Sequence, residues 1–257
     1  FLILPILVIV PLSFNAEPFF SFTEGMLTLD PEAYSLRWYR EIFSDPKWLL
    51  AIKNSFIIGI FSTLLATVLG TCAAVGLARD EMPFRRFVTA LLLSPMIVPL
   101  IITAAGMFFF YSDLGLAGGY LGVILAHAAL GTPFVIITVT ATLTGFDYSL
   151  ARAALNLGAR PVRVFFDVIM PLIRPGVISG ALFAFITSFD EVVVILFMAG
   201  PQQRTIPRQM FSGLREQINP SILAIATLLI LVSIALLVTI ELLRRRAERM
   251  RGIEIPH

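Results

Sequence analysis

The 257-residue sequence predicts an all-α, polytopic membrane protein with six transmembrane helices. Three observations carry that reading. Hydrophobic residues make up 58% of the chain, charged residues only 14%, and the mean hydropathy is +0.90; a soluble domain is roughly 45 to 50% apolar and about 25% charged. Five stretches, roughly 52–78, 87–111, 120–144, 177–200 and 221–243, reach the about 20 mainly apolar residues that a helix needs to cross the hydrocarbon. Runs such as LLILVSIALLVTI are apolar on every face, whereas outer-membrane barrel strands alternate apolar and polar residues.

The sixth helix is the segment 1–14, FLILPILVIVPLSF. It is apolar but shorter than a span, and it lacks a starting methionine, a basic n-region and a small-residue cleavage site, so it reads as the end of a truncated first helix. Residues 15–51 follow as an external segment. Within it Ser35 can cap a short helix carrying Leu36, Tyr39, Ile42 and Phe43 on one side, and Asp45 and Pro46 start another turn. Trp38, Tyr39 and Trp48 suit the membrane interface, as anchors that position the second span. Pro95, Pro99 and Pro133 free backbone carbonyls and are expected to kink their helices. His127 reads as a packed, hydrogen-bonded helix residue, since its span holds no second histidine or carboxylate for a proton relay.

Basic residues accumulate on the cytoplasmic side of short loops, which sets the orientation. Arg79, Arg85 and Arg86 lie between the second and third spans; Arg152, Arg160, Arg163 and Arg174 lie between the fourth and fifth; Arg244, Arg245, Arg246, Arg249 and Arg251 follow the last. Both termini are therefore expected in the cytoplasm, with a tail at 244–257. The opposite side carries Glu17, Glu24, Asp30, Glu32, Glu41 and Asp45, with Arg37, Arg40 and Lys47 among them. A third external loop, around Arg204, Arg208 and Arg215, runs against the rule. The net charge of +2 reflects this asymmetry and implies no nucleic-acid partner.

Much chemistry is excluded by composition. With Cys72 as the single cysteine and only His127 and His257, neither a disulfide framework nor a thiolate or histidine metal site is expected. The chain has no G-x-x-x-x-G-K-[ST] phosphate loop and no G-x-S-x-G elbow. Uphill movement would need ATP handled by another polypeptide.

The most informative loop is 145–176, GFDYSLARAALNLGARPVRVFFDVIMPLIRPG. Asp147 or Ser149 can cap a helix, after which Leu150, Ala153, Ala154 and Leu157 recur at i, i+3, i+4, i+7 as one apolar stripe. Gly158 supplies a left-handed stop, and Pro161 fits the first turn of a second helix because it needs no amide donor there. Pro171 and Pro175 are expected to break the chain before the fifth span. Physics alone leaves two readings open: a helix lying in the headgroups, or one docked into a partner.

The same loop resembles the EAA loop of bacterial ABC importer permeases, with the pattern E-A-A, three residues, G, nine residues, I-x-L-P. Ala153, Ala154 and Gly158 match at that spacing, and Val168, Ile169, Met170 and Pro171 close it conservatively; Arg152 stands where the pattern has Glu. SLRWYREIFSDPKWLLAIKNSFIIG, AHAALGTPFV and SFDEVVVILFMAG are similar to the spermidine/putrescine group of these permeases. Related permeases for ferric ion, thiamine and aminophosphonates share much of the pattern. The resemblance implies the type I ABC importer transmembrane fold over 1–257, with spans at 52–243, in the bacterial inner membrane. It implies a second permease, a pair of ATP-binding subunits gripping the 149–158 helix, and a periplasmic solute-binding protein that meets the external charged loops. Leu150, Ala153, Ala154, Leu157, Gly158, Arg160, Arg163 and Pro171 are then the coupling residues. No cofactor or catalytic residue is expected in this chain; ATP and Mg would be bound by the partner ATPase.

Asp190 and Glu191 stand in the middle of an apolar run. A carboxylate near the bilayer centre costs about 2.5 to 3.5 kcal/mol, so such acids face a cavity or a partner. Successive helical residues differ by about 100°, so a regular helix cannot aim both at one point. Glu191 falls on the small-residue stripe of Gly180, Ala184 and Ser188, and Asp190 near Ile186, Thr187 and Val194. Three readings stand. One acid neutralises a polyamine ammonium in the pathway; one caps a helix break or pairs with a neighbouring subunit; or the pair lies at a watery mouth. The pathway candidates are Asp190, Glu191, Thr187, Ser188, Phe189 and Tyr111, the aromatic pair being able to stack on an organic cation. An ion-coupled secondary carrier is the competing class, but such carriers show internal repeats and none is evident. A membrane enzyme lacks its cluster of nucleophile, base and metal ligands.

Overall fold

The computed structural model describes residues 4–79, 81–144, 147–216 and 220–250. In chain order the helices are α1 (Leu4–Leu12), α2 (Glu24–Leu27), α3 (Arg37–Ser44), α4 (Pro46–Leu77), α5 (Arg85–Ile97), α6 (Leu100–Asp113), α7 (Tyr120–Leu143), α8 (Tyr148–Asn156), α9 (Pro161–Val164), α10 (Met170–Asp190), α11 (Val193–Met198), α12 (Ile206–Glu216) and α13 (Ser221–Met250). Among the described residues the only β-pairing is the isolated bridge between Asn15 and Tyr34. Among the described residues three helical runs are long and apolar enough to cross a membrane: Pro46–Leu77, Tyr120–Leu143 and Pro161–Asp190. The pair Arg85–Ile97 and Leu100–Asp113 makes a fourth, bent by 105°, and Ser221–Ala235 is a shorter apolar stretch within α13. The expected first helix is present as the nine-residue α1. The basic tail continues α13 as helix through Arg249 to Met250, while Arg251 and the rest of the tail lie outside the described residues.

The chain clusters into two compact units, 54–205 and the combination of 1–53 with 206–257. In the first, α7 is central: its apolar stretch is 61% buried, against 33% for Pro46–Leu77 and 22% for Pro161–Asp190. Small residues let the helix backbones approach closely. A Cβ at Gly131 would lie 3.0 Å from that of Ala184, one at Gly176 would lie 2.6 Å from Thr142 Oγ1, and one at Gly70 2.6 Å from Val135 Cβ. One end of this packing buries Ala66, Ala74, Ala128, Val135, Val139, Leu143, Ile173 and Ala184 together. At the other end Ile58, Ala104, Val123, Ala126, Leu130, Val194, Ile195 and Met198 form a second cluster, in which α11 packs on α6 and α7. Asn54 closes that end: its Nδ2 donates to the carbonyls of Gln202 (2.7 Å) and Arg204 (2.8 Å), and its Oδ1 accepts from the Tyr120 hydroxyl at 2.6 Å.

In the second unit Asn15 organises the segment after α1. Its side-chain amide donates to the carbonyls of Phe19 and Ser21, its Oδ1 accepts the Glu17 amide, and its carbonyl accepts Trp38 Nε1 at 2.8 Å. Trp38 and Trp48 are buried, at 3% and 4% exposure, so neither is the interfacial anchor its residue type predicts. The buried face of α3 is Trp38 and Ile42, while Leu36 and Phe43 are exposed. Ser35 Oγ accepts the Arg37 amide at 3.2 Å, close to its expected capping role. Leu12, Met26 and Leu223 pack together, and α1 and α3 both lie against α13.

The prolines differ in what they do to the helices. Pro99 breaks the stretch 87–111 into α5 and α6, because a residue before proline is driven to extended backbone; Val98 has φ −71°, ψ 136°. Pro133 leaves α7 continuous as a helix. Pro171 and Pro175 do not interrupt the chain: helix runs from Pro161 to Asp190 through a π-helical turn at Phe165–Ile169. A proline lacks the amide for the carbonyl four residues back and its ring presses on that group. For Pro171 that carbonyl belongs to Asp167, inside the widened turn, where the regular ladder is already relaxed.

Candidate functional site

The expected fifth span, 177–200, is not one helix. α10 ends at Asp190, Glu191 takes extended backbone (φ −74°, ψ 121°), and α11 restarts at Val193. On α10 the residues Ile173, Gly176, Gly180, Ala184 and Ser188 are buried, the spacing of a single face, and that face lies along α7. Ser188 is therefore directed into the seam, where its Oγ sits 2.8 Å from Nδ1 of the buried His127. Glu191, three residues on, is also buried, at 8% exposure, and its Oε1 accepts the Val194 amide at 3.0 Å. Asp190 is exposed. Among the described residues no basic side chain forms an ion pair with either acid. The two neighbours thus differ in surroundings: Glu191 continues the buried stripe of α10, and Asp190 lies on its exposed face with Phe183 and Ile186.

The remaining pathway candidates divide by environment. Thr187 and Phe189 are half-buried. Phe189 stacks on Phe185, with centroids 5.3 Å apart, and meets the edge of Phe56 at 5.3 Å. Gly59 makes room for this group, since a Cβ there would lie 3.0 Å from the Phe185 ring. Tyr111, half-buried on α6, belongs to the cluster formed with α11 and neighbours Phe110 at 5.6 Å. Phe56, Phe185 and His127 complete the surroundings of 187–191. Only the Phe185–Phe189 pair was detectable in advance, from its i, i+4 spacing; Phe56 and His127 arrive from other helices. Among the described residues no group of three or more His, Cys, Asp or Glu comes together as a metal site.

The second candidate region is α8. Asp147 is its N-cap: Oδ1 accepts the Ser149 amide at 2.8 Å and Oδ2 the Ser149 hydroxyl at 2.7 Å. The hydroxyl first, and then the amide, hold the Asp147 carboxyl below the usual carboxylate range, so it stays ionised at neutral pH. Gly145 and Phe146, where the expected loop begins, lie outside the described residues. The helix packs through Ala151, which is buried. Leu150, Ala153, Leu157 and Gly158 are exposed and Ala154 half-buried, with Leu157 at 89%. Gly158 has φ +86°, the left-handed stop, and Pro161 opens α9 after an extended Arg160. Arg160 is exposed; Arg163 pairs with Asp167 at 3.0 Å on the surface; Pro171 lies exposed in the first turn of α10. A single small helix is thus capped by Asp147 and stopped at Gly158, with most of its apolar stripe exposed.

Comparison with known proteins extends this geometry. Residues 66–249 match the family described as binding-protein-dependent transport system inner membrane component. The chain is 31% identical to the spermidine/putrescine transport system permease protein PotC of Haemophilus influenzae, over 96% of this chain and 93% of that one. It is 34% identical to the putrescine transport system permease protein PotI of Escherichia coli K12, over 90% of this chain and 82% of that one. Among solved structures, a bacterial ABC transporter that imports the acidic polysaccharide alginate superposes with a TM-score of 0.73 at 18% identity, covering 93% of this chain and 90% of its counterpart, which shows the fold. With a family match spanning both α8 and the α10–α11 break, the chain belongs to the binding-protein-dependent transport system inner membrane component family, as a permease subunit of an ABC importer.

Proposed function

We propose that this subunit forms the membrane pathway for a small organic cation, a polyamine such as spermidine or putrescine, and moves it by alternating access. The observation that carries the reading is Asp190: an exposed carboxylate without a basic partner, at a helix end and directly after a phenylalanine stacked in an aromatic group. A polyamine carries several positive charges that need pairing in a low-dielectric region, and aromatic faces attract such cations. The names of the Haemophilus influenzae and Escherichia coli relatives support this substrate class.

The energy source is a separate pair of ATP-binding subunits, which bind ATP and Mg and grip the exposed stripe of α8; this chain catalyses no reaction. A second permease completes the pathway, a solute receptor delivers cargo from outside, and both termini face the cytoplasm. Closure of the ATPase pair pulls α8 and reorients the spans around Asp190. Uptake of labelled putrescine, spermidine, thiamine and an aminophosphonate by cells with and without the gene tests the substrate: gene-dependent uptake confined to the amines is the expected result, and uptake of only the aminophosphonate overturns it.

A further inference from the structure

We propose that Glu191 is a positioning residue that caps α11 and so fixes the turn directly after Asp190, while making no contact with the transported cation itself. The assignment of Asp190 as the pathway acid comes from the proposed function, and this inference rests on it. Ser188 lies in the α7–α10 seam, and Glu191, three residues further, remains on that buried side. α11 has only six residues, too short to be stable by itself. Its first intrahelical bond runs from the Leu196 amide to the Val192 carbonyl, so the Val194 amide has no partner within the helix. Val192, the capping residue, has no side-chain acceptor. Glu191, one position earlier and longer, reaches over it to accept the Val194 amide.

The cap matters because of what α11 carries. Val194, Ile195 and Met198 fill the cluster with Ala104, Val123 and Ala126, and the Met198 carbonyl accepts the Gly118 amide at 2.8 Å. Holding the start of α11 in register fixes where the chain leaves α10, and so steadies the last turn of α10, which carries Asp190. A carboxylate at the first amides of a helix is favoured by hydrogen bond and dipole together. A glutamine keeps an acceptor oxygen at the same reach without the charge.

The test uses the assembled importer in proteoliposomes, with putrescine as the probe and amide hydrogen exchange across 193–198 as a readout independent of substrate. Glu191→Gln should keep parental exchange and uptake close to parental. Glu191→Ala should accelerate exchange roughly two- to thirtyfold, the range set by losing a cap, with a lower maximal rate. Asp190→Asn should raise KM for putrescine with exchange unchanged. Parental exchange in Glu191→Gln combined with lost uptake would overturn the inference, because the charge itself would then be the requirement; so would unchanged exchange in Glu191→Ala. If Glu191→Ala does not assemble, the Glu191→Gln pair of readouts decides alone. Normal putrescine transport by Asp190→Asn sinks the cation reading instead, and the exchange comparison still decides whether Glu191 caps.

Discussion

At Glu191 the backbone leaves helical geometry, and two neighbouring acids enter different surroundings. Asp190 is exposed and, among the described residues, forms no ion pair, which is why the proposal assigns it to the cation. Replacing it with Asn removes a charge-assisted interaction of about 1.5 to 3 kcal/mol; apparent affinity for putrescine should fall roughly ten- to hundredfold, measured as uptake KM at unchanged membrane abundance. Gly158 is the second residue on which the proposal can be tested. At φ +86° a β-branched side chain is strained by about 1 to 2 kcal/mol, although space around the position is open. Gly158→Val should leave the complex in the membrane yet uncouple ATP hydrolysis from transport; wild-type transport in vesicles would refute its role in coupling. Both residues were identifiable from spacing and hydropathy. Their surroundings were not, because Phe56 and His127 reach the site from helices distant in sequence.

At the scale of elements, α7 and α10 meet closely through small residues. Gly180 packs against Val135 and Thr138 so closely that any side chain must displace them. Overpacking of this kind costs about 1 to 3 kcal/mol, so Gly180→Leu should lower the thermal stability of the purified subunit; an unchanged melting temperature would show that the seam relaxes freely. The two breaks, at 98–99 and 191–192, create α6 and α11, which pack on each other. Hydropathy cannot report such breaks, since an apolar window stays apolar whether it is straight or bent. Proline was a signal at 98–99, where it stopped a helix, but a misleading one at 171, where a π-helical turn absorbed it, and at 175, which lies inside α10.

At the scale of the molecule, a family match over residues 66–249 makes the chain a permease subunit, and the exposed stripe of α8 is the contact proposed for a separate motor. Reconstituted alone in liposomes, the subunit should not concentrate putrescine under an ion gradient; with ATPase, second permease and receptor present, accumulation should depend on ATP. Accumulation by the lone subunit would identify an ion-coupled carrier. Trp38 and Trp48 show the limit of residue-type reasoning at this scale. Both have the chemistry of interface anchors, yet tertiary packing buries them, with the Trp38 indole on the carbonyl of Asn15.

What the sequence determined by itself was the solvent and the local grammar. Long apolar runs require helices in a bilayer because every backbone polar group must be satisfied within its own segment, and the Asp147 cap, Gly158 stop and Pro161 start define α8 through short-range bonding. Only the tertiary structure decided that the fifth span breaks at Glu191, what surrounds each acid, and which aromatics gather around Phe189. Those outcomes depend on side chains far apart in sequence meeting at one point, which no local pattern encodes.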